Sequence, residues 1–413
     1  MPTCHPSLQL RAHPPQRRRG TRPAGPLLVG MLAGLVAAMV AGLAVPAPAL
    51  ALTPMALAPQ ADTSGSALGP DRLPACSAVV AAMTPRARVA QRLMVGVDAS
   101  DPAGTAESVR ATQIGGIFIG GDATDLLQNQ ALRGVQAVSR IPLAVAVDDE
   151  GGRVQRVDAL DGNLPSARTM AAQQTPVQVQ EAAQARGKAL AARGITMNFG
   201  PVVDVGQQPS GAVIGDRSFS SDPKVAAQYA AAFAMGERTA GIFTVLKHFP
   251  GHGRGDGDSH KGRVTTPPLA ELKSDDLLPY TALLGAGGPL SLIEGKGRTG
   301  VMVGHLDVPG LTDDLPSSLT PATYKLLRED YKFDGFVITD DLGAMKAVTG
   351  TFELPEAVER ALAAGADMAL WSAGGRITPV LDRLEQALTA GRLDAAADDT
   401  AVARVLRAKS VCS

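Results

Sequence analysis

The chain has 413 residues, of which 45% are hydrophobic and 19% charged, an ordinary globular composition with enough apolar mass to bury a large core as one domain or two. Its 39 basic and 40 acidic side chains nearly cancel; with the five arginines of the leading segment set aside, 34 basic face 40 acidic residues, a net charge of about −6. No basic block remains that can follow a phosphate backbone, which excludes nucleic acid as a partner.

Residues 1–51 carry Arg11, Arg17, Arg18, Arg19 and Arg22, no acidic residue, and an apolar run over 27–45, which is the pattern of an export signal. Ala49-Leu-Ala51 offers a cleavage site after Ala51, and the length of the apolar run leaves an uncleaved membrane anchor as the alternative. The protein is therefore expected outside the membrane, secreted or associated with the cell envelope. Cys4 leaves with the signal, so Cys76 and Cys412, one near each end, are expected to form a disulfide in that oxidising compartment. A rival role for Cys76 is lipid attachment, since Leu73-Pro-Ala-Cys76 is lipobox-like, but the apolar run that should abut a lipobox ends far upstream.

Residues 52–70, rich in Ala, Pro, Ser and Gly without periodicity, predict a flexible linker, and the folded body is expected over 71–413. Short apolar runs then alternate with stretches of helix-forming composition: 93–97, 116–119, 143–147, 196–199, 243–246, 301–303, 336–338 and 368–371. Strands buried on both faces have this continuous apolar character, and eight of them alternating with helices predict an α/β fold, a single (β/α)8 barrel of the TIM type. An open doubly wound sheet is the rival architecture.

A parallel barrel builds its active site where its strands finish. Polar residues follow each of the first seven runs: Asp98, Asp122, Asp148 to Glu150, Asp204, Lys247 with His248, His305 with Asp307, and Asp340 with Asp341. Asp98 and Asp122 read as turn or helix-capping residues. Asp340, in Gly335-Phe-Val-Ile-Thr-Asp-Asp-Leu-Gly-Ala-Met345, stands where a strand can present a rigid carboxylate to a sugar's anomeric carbon, with Asp341 equally able to cap the next helix. The segment Lys247-His-Phe-Pro-Gly-His-Gly-Arg-Gly-Asp-Gly-Asp-Ser-His260 packs three histidines, a lysine and two aspartates among four glycines. Its glycines suggest a mobile lid, and Asp258, two residues before His260, can hydrogen-bond the imidazole and fix its tautomer, giving an acid-base dyad.

A zinc site built on His248 and His252 needs a helix that Pro250, Gly251 and Gly253 forbid, and a Schiff base at Lys247 lacks the phosphate-binding glycines that barrel aldolases carry late in the chain. Neither a metal nor a cofactor is expected.

These residues carry a resemblance. The chain resembles glycoside hydrolase family 3, specifically its single-domain N-acetyl-β-glucosaminidases (β-hexosaminidases) of peptidoglycan recycling and turnover. The resemblance rests on Arg92-Leu-Met-Val-Gly96, Ala146-Val-Asp-Asp-Glu-Gly-Gly-Arg-Val-Gln-Arg156, Phe199-Gly-Pro-Val-Val-Asp-Val205, Gly215-Asp-Arg-Ser-Phe219, Lys247-His-Phe-Pro-Gly-His-Gly253, Asp258-Ser-His260 and Ile338-Thr-Asp-Asp-Leu342. It implies Asp340 as nucleophile, His260 as acid and base, Asp258 as the group that orients His260, and Asp148, Arg156, Arg217, Lys247 and His248 as the holders of the N-acetylglucosamine ring. Asp204 is then a pocket wall or supporting group, His252 and Pro250 shape the turn, and His305 has no assigned role. The family often has Asp-Gln-Glu where this chain has Asp148-Asp149-Glu150, and Pro-Ala-His where it has Val303-Gly304-His305.

The implied reaction is retaining release of terminal N-acetylglucosamine from peptidoglycan fragments through a covalent glycosyl-aspartate. The usual family member of this kind is cytoplasmic, so the export signal favours wall fragments as the carbohydrate partner. Two alternatives are phosphorolysis on the same site, since imidazole does not repel a phosphate acceptor as a carboxylate does, and a non-catalytic wall-sugar binder.

Overall fold

A computed structural model describes residues 73–292 and 297–413; the export signal, the 52–70 linker and the expected start of the body at Asp71 lie outside the described residues. Among the described residues eight strands are present: β1 Leu93–Val97, β2 Gly116–Ile119, β3 Ala144–Val147, β4 Met197–Asn198, β5 Phe243–Phe249, β6 Thr299–Val303, β7 Val337–Asp341 and β8 Met368–Trp371. Each pairs in parallel with the next and β1 pairs with β8, so the sheet closes into the expected (β/α)8 barrel and the open doubly wound alternative fails.

All eight predicted runs lie on strands, with differences at their ends. β4 is regular over two residues only, although Thr196 and Phe199 on either side still donate to the carbonyls of Val145 and Val147 of β3. β5 and β7 run further than their apolar cores, so Lys247, His248, Asp340 and Asp341 still belong to strands rather than to the loops that follow. Apolar character marks where a strand is buried, and hydrogen bonding marks where it stops.

The two faces of the barrel follow the period of two along each strand. Met94, Ala144, Ala146, Phe243 and Val245 point into the barrel, and Leu93, Val95, Val145, Leu246 and Val301 point out against the helices. Each fully buried Leu, Ile or Val contributes about 1.5–3 kcal/mol of transfer free energy. The helices that cover the sheet begin on recognisable caps: Thr175 and Gln178 form a reciprocal capping box on Pro176–Ala192, and Asp222 accepts from Lys224 N at the start of Pro223–Thr239. Asp98 plays the local role expected of it, accepting from Ser100 N and Oγ in a turn, while the helix cap next to it is Asp101.

The floor is closed by the last helix, Ala395–Ala408, which sets Val405 and Ala408 against the inner cluster. Cys76 and Cys412 form the expected disulfide there, with Cα atoms 4.9 Å apart across 336 residues of sequence, and Ser413 N donates to Pro74 O. In that bridge the Cys76 sulfur is bonded to Cys412.

Candidate active site

A cavity of about 330 Å³ opens at the C-terminal ends of the strands. It arises from simple alternation. The inward-pointing series Ala144, Ala146 leads to Asp148 and Glu150; Phe243, Val245 leads to Lys247; Phe336, Ile338 leads to Asp340; and Met368, Leu370 leads to Ser372. Phe118 and Phe199 stack nearly parallel, 5.6 Å apart at 13°, and with Met302 and Leu370 they give the cavity an apolar wall. A sugar's C–H faces suit such a wall, and its hydroxyls need the polar rim above it.

Strict alternation would turn His248 and Asp341 away from the cavity, yet both line it. β5 and β7 are the strands whose register shifts, between Leu246 and Phe249 and between Ile338 and Asp341. Such irregularities re-aim side chains near sites.

The polar rim is a set of buried charges in register with one another. Lys247 Nζ lies 2.5 Å from Asp148 Oδ1 and 2.5 Å from Glu150 Oε1, and Arg217 makes a bidentate pair with Glu150 at 2.7 and 2.8 Å. Burial pushes the Glu150 carboxyl up, but Arg217 and Lys247 outweigh it and hold the group far below the ordinary carboxylate range. Burial likewise lowers Lys247, and Asp148 and Glu150 reverse it, so the ammonium is held above its ordinary value. Glu150 is thus shared by two cations and Lys247 by two carboxylates, so Glu150 and Lys247 are the members whose removal leaves a charge without its partner: Arg217 in the first case and Asp148 in the second.

Asp204 is the hub of the neighbouring corner. Wholly buried, it accepts from His248 Nδ1 at 2.6 Å, from His248 N at 3.2 Å and from His252 N at 2.8 Å. With Nδ1 committed to Asp204, Nε2 is the ring nitrogen left for the cavity. Asp204 is therefore the supporting group the sequence suggested, and it holds two histidines in place.

Asp340 is 7% exposed and accepts from the Asp341 N–H at 2.8 Å. Burial alone pushes its carboxyl up; His248, His305, the Asp341 amide and Lys247 overcome that and hold it below the ordinary range, so it is an anion at neutral pH. Asp341 holds the turn after β7 instead, accepting from Gly343 N at 2.8 Å and Ala344 N at 3.1 Å, with Ser372 Oγ on its other oxygen, while the next helix, Lys346–Thr349, has Met345 at its N-cap. His305 lies behind β7, its Nε2 donating to the Asp341 carbonyl at 2.9 Å and its Nδ1 bonded to Ser318 Oγ at 2.7 Å, so it braces the strand end that carries Asp340.

The glycine-rich segment differs from the expected mobile lid at its root. A Cβ on Gly253 would stand 2.0 Å from the Val205 carbonyl oxygen, so this glycine is there to let two backbones touch. Arg254 ties the same turn to buried Asp276 at 2.8 and 2.5 Å. Beyond that anchor Asp258 Oδ1 pairs with His260 Nδ1 at 2.8 Å and accepts from His260 N at 3.1 Å, with Lys261 Nζ 3.3 Å from its other oxygen. Burial pushes Asp258 up, but its bonds to His260 and Lys261 bring the carboxyl below its ordinary value. The His260 side chain is 53% exposed and lines the rim of the cavity that Asp340 also lines.

Arg156 reaches the cavity from the loop after β3. Its backbone N–H donates to Asp149 Oδ2 at 2.9 Å, and Asp149 itself points away from the cavity, 3.4 Å from buried Arg186. Asp148, Arg156, Arg217, Lys247, His248, His260 and Asp340 all line one cavity, with Asp258 behind His260. Glu150 was not singled out from sequence. The signal was available: residues 148 and 150 share a face and residue 149 has the other, so of the three consecutive acids two belong to the site. Among the described residues, no group of three or more His, Cys, Asp or Glu side chains is arranged to hold a metal ion.

Residues 84–408 match the glycosyl hydrolase family 3 N terminal domain. Beta-hexosaminidase LpqI of Mycobacterium tuberculosis is 48% identical over 338 residues, spanning 80% of this chain and 84% of that protein. The solved structure of M. tuberculosis LpqI superposes with a TM-score of 0.75 at 48% identity, covering 81% of this chain and 96% of that one. A glycosyl hydrolase of the GH3 family from Mycobacterium smegmatis gives a TM-score of 0.74 at 46% identity, covering 81% and 98%.

Proposed function

The chain belongs to glycoside hydrolase family 3, and from that premise we propose that it is a retaining exo-β-N-acetylglucosaminidase that releases terminal N-acetylglucosamine from peptidoglycan fragments outside the membrane. Glycosidase chemistry comes with the family and its β-hexosaminidase relatives; the substrate and mechanism are our reading.

In this mechanism Asp340 attacks C1 from the face opposite the leaving group while protonated His260 gives its proton to the departing oxygen. The C1–O bond breaks as the aspartyl ester forms, and because attack inverts C1 the intermediate is α-linked. Neutral His260 then takes a proton from water, whose oxygen displaces Asp340 and restores the β configuration. Asp258 orients the imidazole and stabilises it when charged. Asp148 accepts from ring hydroxyls, and Arg156, Arg217, Lys247 and His248 complete the hold on the ring.

The observation that carries this reading is the ionised Asp340 carboxylate, which lines one cavity with a histidine tied through Nδ1 to a second carboxylate. The leading 51 residues and the Cys76–Cys412 bridge support export, since such bridges persist in oxidising compartments.

The test is incubation with GlcNAc–MurNAc and its peptide-bearing forms, followed by mass spectrometry with and without phosphate and by NMR of the first-formed anomer. Free N-acetylglucosamine appearing first as the β anomer, regardless of phosphate, is the expected outcome. A glycosyl phosphate product transfers the site to the phosphorolysis reading, and failure to cleave any N-acetylglucosaminide sinks both.

A further inference from the structure

Asp148 and Glu150 face the site together only while the peptide groups of Asp149 between them are held in place, and the sheet does not hold them. Val147 O of β3 accepts from Phe199 N at 2.8 Å; two residues further along both strands of a parallel ladder, the donor to Asp149 O falls to residue 201. That residue is Pro201, which has no N–H. A side chain stands in for the missing strand. Asp149 N donates to Asn198 Oδ1 at 2.9 Å, and Asn198 Nδ2 donates back to Asp149 O at 2.9 Å, so one carboxamide closes on both backbone polar groups of one residue. Asn198, the last residue of β4, is wholly buried and does not line the cavity. Its other amide hydrogen goes to Glu237 Oε1 at 2.7 Å, on the helix Pro223–Thr239. With its oxygen toward an N–H and its nitrogen toward two oxygens, the amide has all three partners in one orientation only.

We propose that Asn198 is a positioning residue of the sugar site: its carboxamide fixes the Asp149 peptide groups and thereby sets Asp148, Glu150 and Arg156 for the N-acetylglucosamine ring. This rests on the proposed N-acetylglucosaminidase reading and deepens it. The clamp reaches the site by two routes. Along the backbone it fixes the residues on either side of Asp149, whose carboxylates share Lys247. Through the Asp149 side chain, Oδ2 accepts from Arg156 N at 2.9 Å and from Val157 N at 3.4 Å, which ties down the loop that brings Arg156 to the cavity. An apolar side chain of like size at 198 fills the same space but leaves Asp149 N and O without partners, so the strand end must shift to find others.

Asp148 and Arg156 hold the ring before the reaction as well as during it, so misplacing them weakens binding of the sugar itself. For Asn198→Leu, KM for an aryl N-acetylglucosaminide and the inhibition constant of free N-acetylglucosamine are both expected to rise about tenfold. Arg92→Ala, which strands a buried charge on the barrel floor, is the control for lost stability alone and is expected to hold both constants within about twofold of the parent. An inhibition constant unchanged in the Leu variant overturns the proposal, whatever its melting temperature, because Asn198 then serves the fold only. Equal rises in the Arg92 variant also overturn it, since lost stability then explains both. If the Leu variant does not fold, Asn198→Asp carries the test. It keeps the shape and the acceptor for Asp149 N but sets an oxygen against Asp149 O, and should raise the inhibition constant about threefold or more; an unchanged value overturns the clamp. An unaltered enzyme that neither cleaves an N-acetylglucosaminide nor binds the free sugar defeats the proposed function instead, which keeps the two failures apart.

Discussion

The two ends of the barrel both bury charge, and they do so to opposite ends. On the floor, Arg92 gives its guanidinium to Asp398 at 2.5 Å and to the carbonyls of Asp367, Ala366 and Leu362, while Arg328 and Arg404 share the carboxylate of Asp367. These arginines spend their donors on the protein itself. At the mouth, Lys247, Arg217 and Asp148 are also paired, but each keeps a face to the cavity. A buried ion pair is therefore no mark of a site by itself; its place at the strand ends that form the mouth is what sets the second group apart. Lys409 makes the same point, since burial pushes its ammonium down to about 7 on the floor, where it bonds the Gly115 carbonyl.

The sharpest test of that contrast is Asp340→Asn, which should lower kcat by on the order of 10⁴-fold, about 5.4 kcal/mol, with an unchanged melting temperature. Loss of folding would move Asp340 into the structural class. His260→Ala is expected to lower kcat about 10³-fold for sugar leaving groups and to spare aryl groups that leave without a proton. An equal loss on both substrates breaks the assignment of the proton. Arg92→Ala should do the reverse, costing about 3 kcal/mol or more in denaturant unfolding by stranding Asp398, with KM within twofold of the parent.

The smallest effect concerns Glu237, whose carboxyl is pushed well above its ordinary value by burial, with Asp149 adding to the rise and Asn198 opposing it. A raised carboxyl pKa means that the folded state holds a proton the unfolded state releases, so stability drains as pH rises from the unfolded value near 4.3 toward the folded one. Glu237→Gln removes that slope. Melting curves should show the variant gaining on the parent by up to about 1 kcal/mol at pH 8 and matching it at pH 4; a deficit at pH 8 would mean that the charged form is the one the fold uses.

The barrel was legible because apolar runs of four or five residues recur between helical stretches, and each of the eight lies on a strand. That Asp340 and His260 share one cavity, with Asp258 bonded to His260, was legible because a strand-end carboxylate and an Asp-Ser-His tail are local patterns. What escaped was set by contacts between distant residues. Glu150 gains its meaning from Lys247 and Arg217, which lie far along the chain, and Asp204 becomes a hub only once β5 folds back beside it. The glycines of the His260 loop suggested mobility, because sequence cannot tell a glycine that frees a backbone from one that lets Val205 press against it.

The cystine and the Ser413–Pro74 hydrogen bond bring the first and last described residues together beneath the barrel. In topological terms the body is nearly a ring, and its order of synthesis is incidental to its architecture. A circular permutant that joins residue 413 to residue 73 by a short peptide and opens the chain at the exposed turn around Gly391 should recover the same barrel with its mouth untouched.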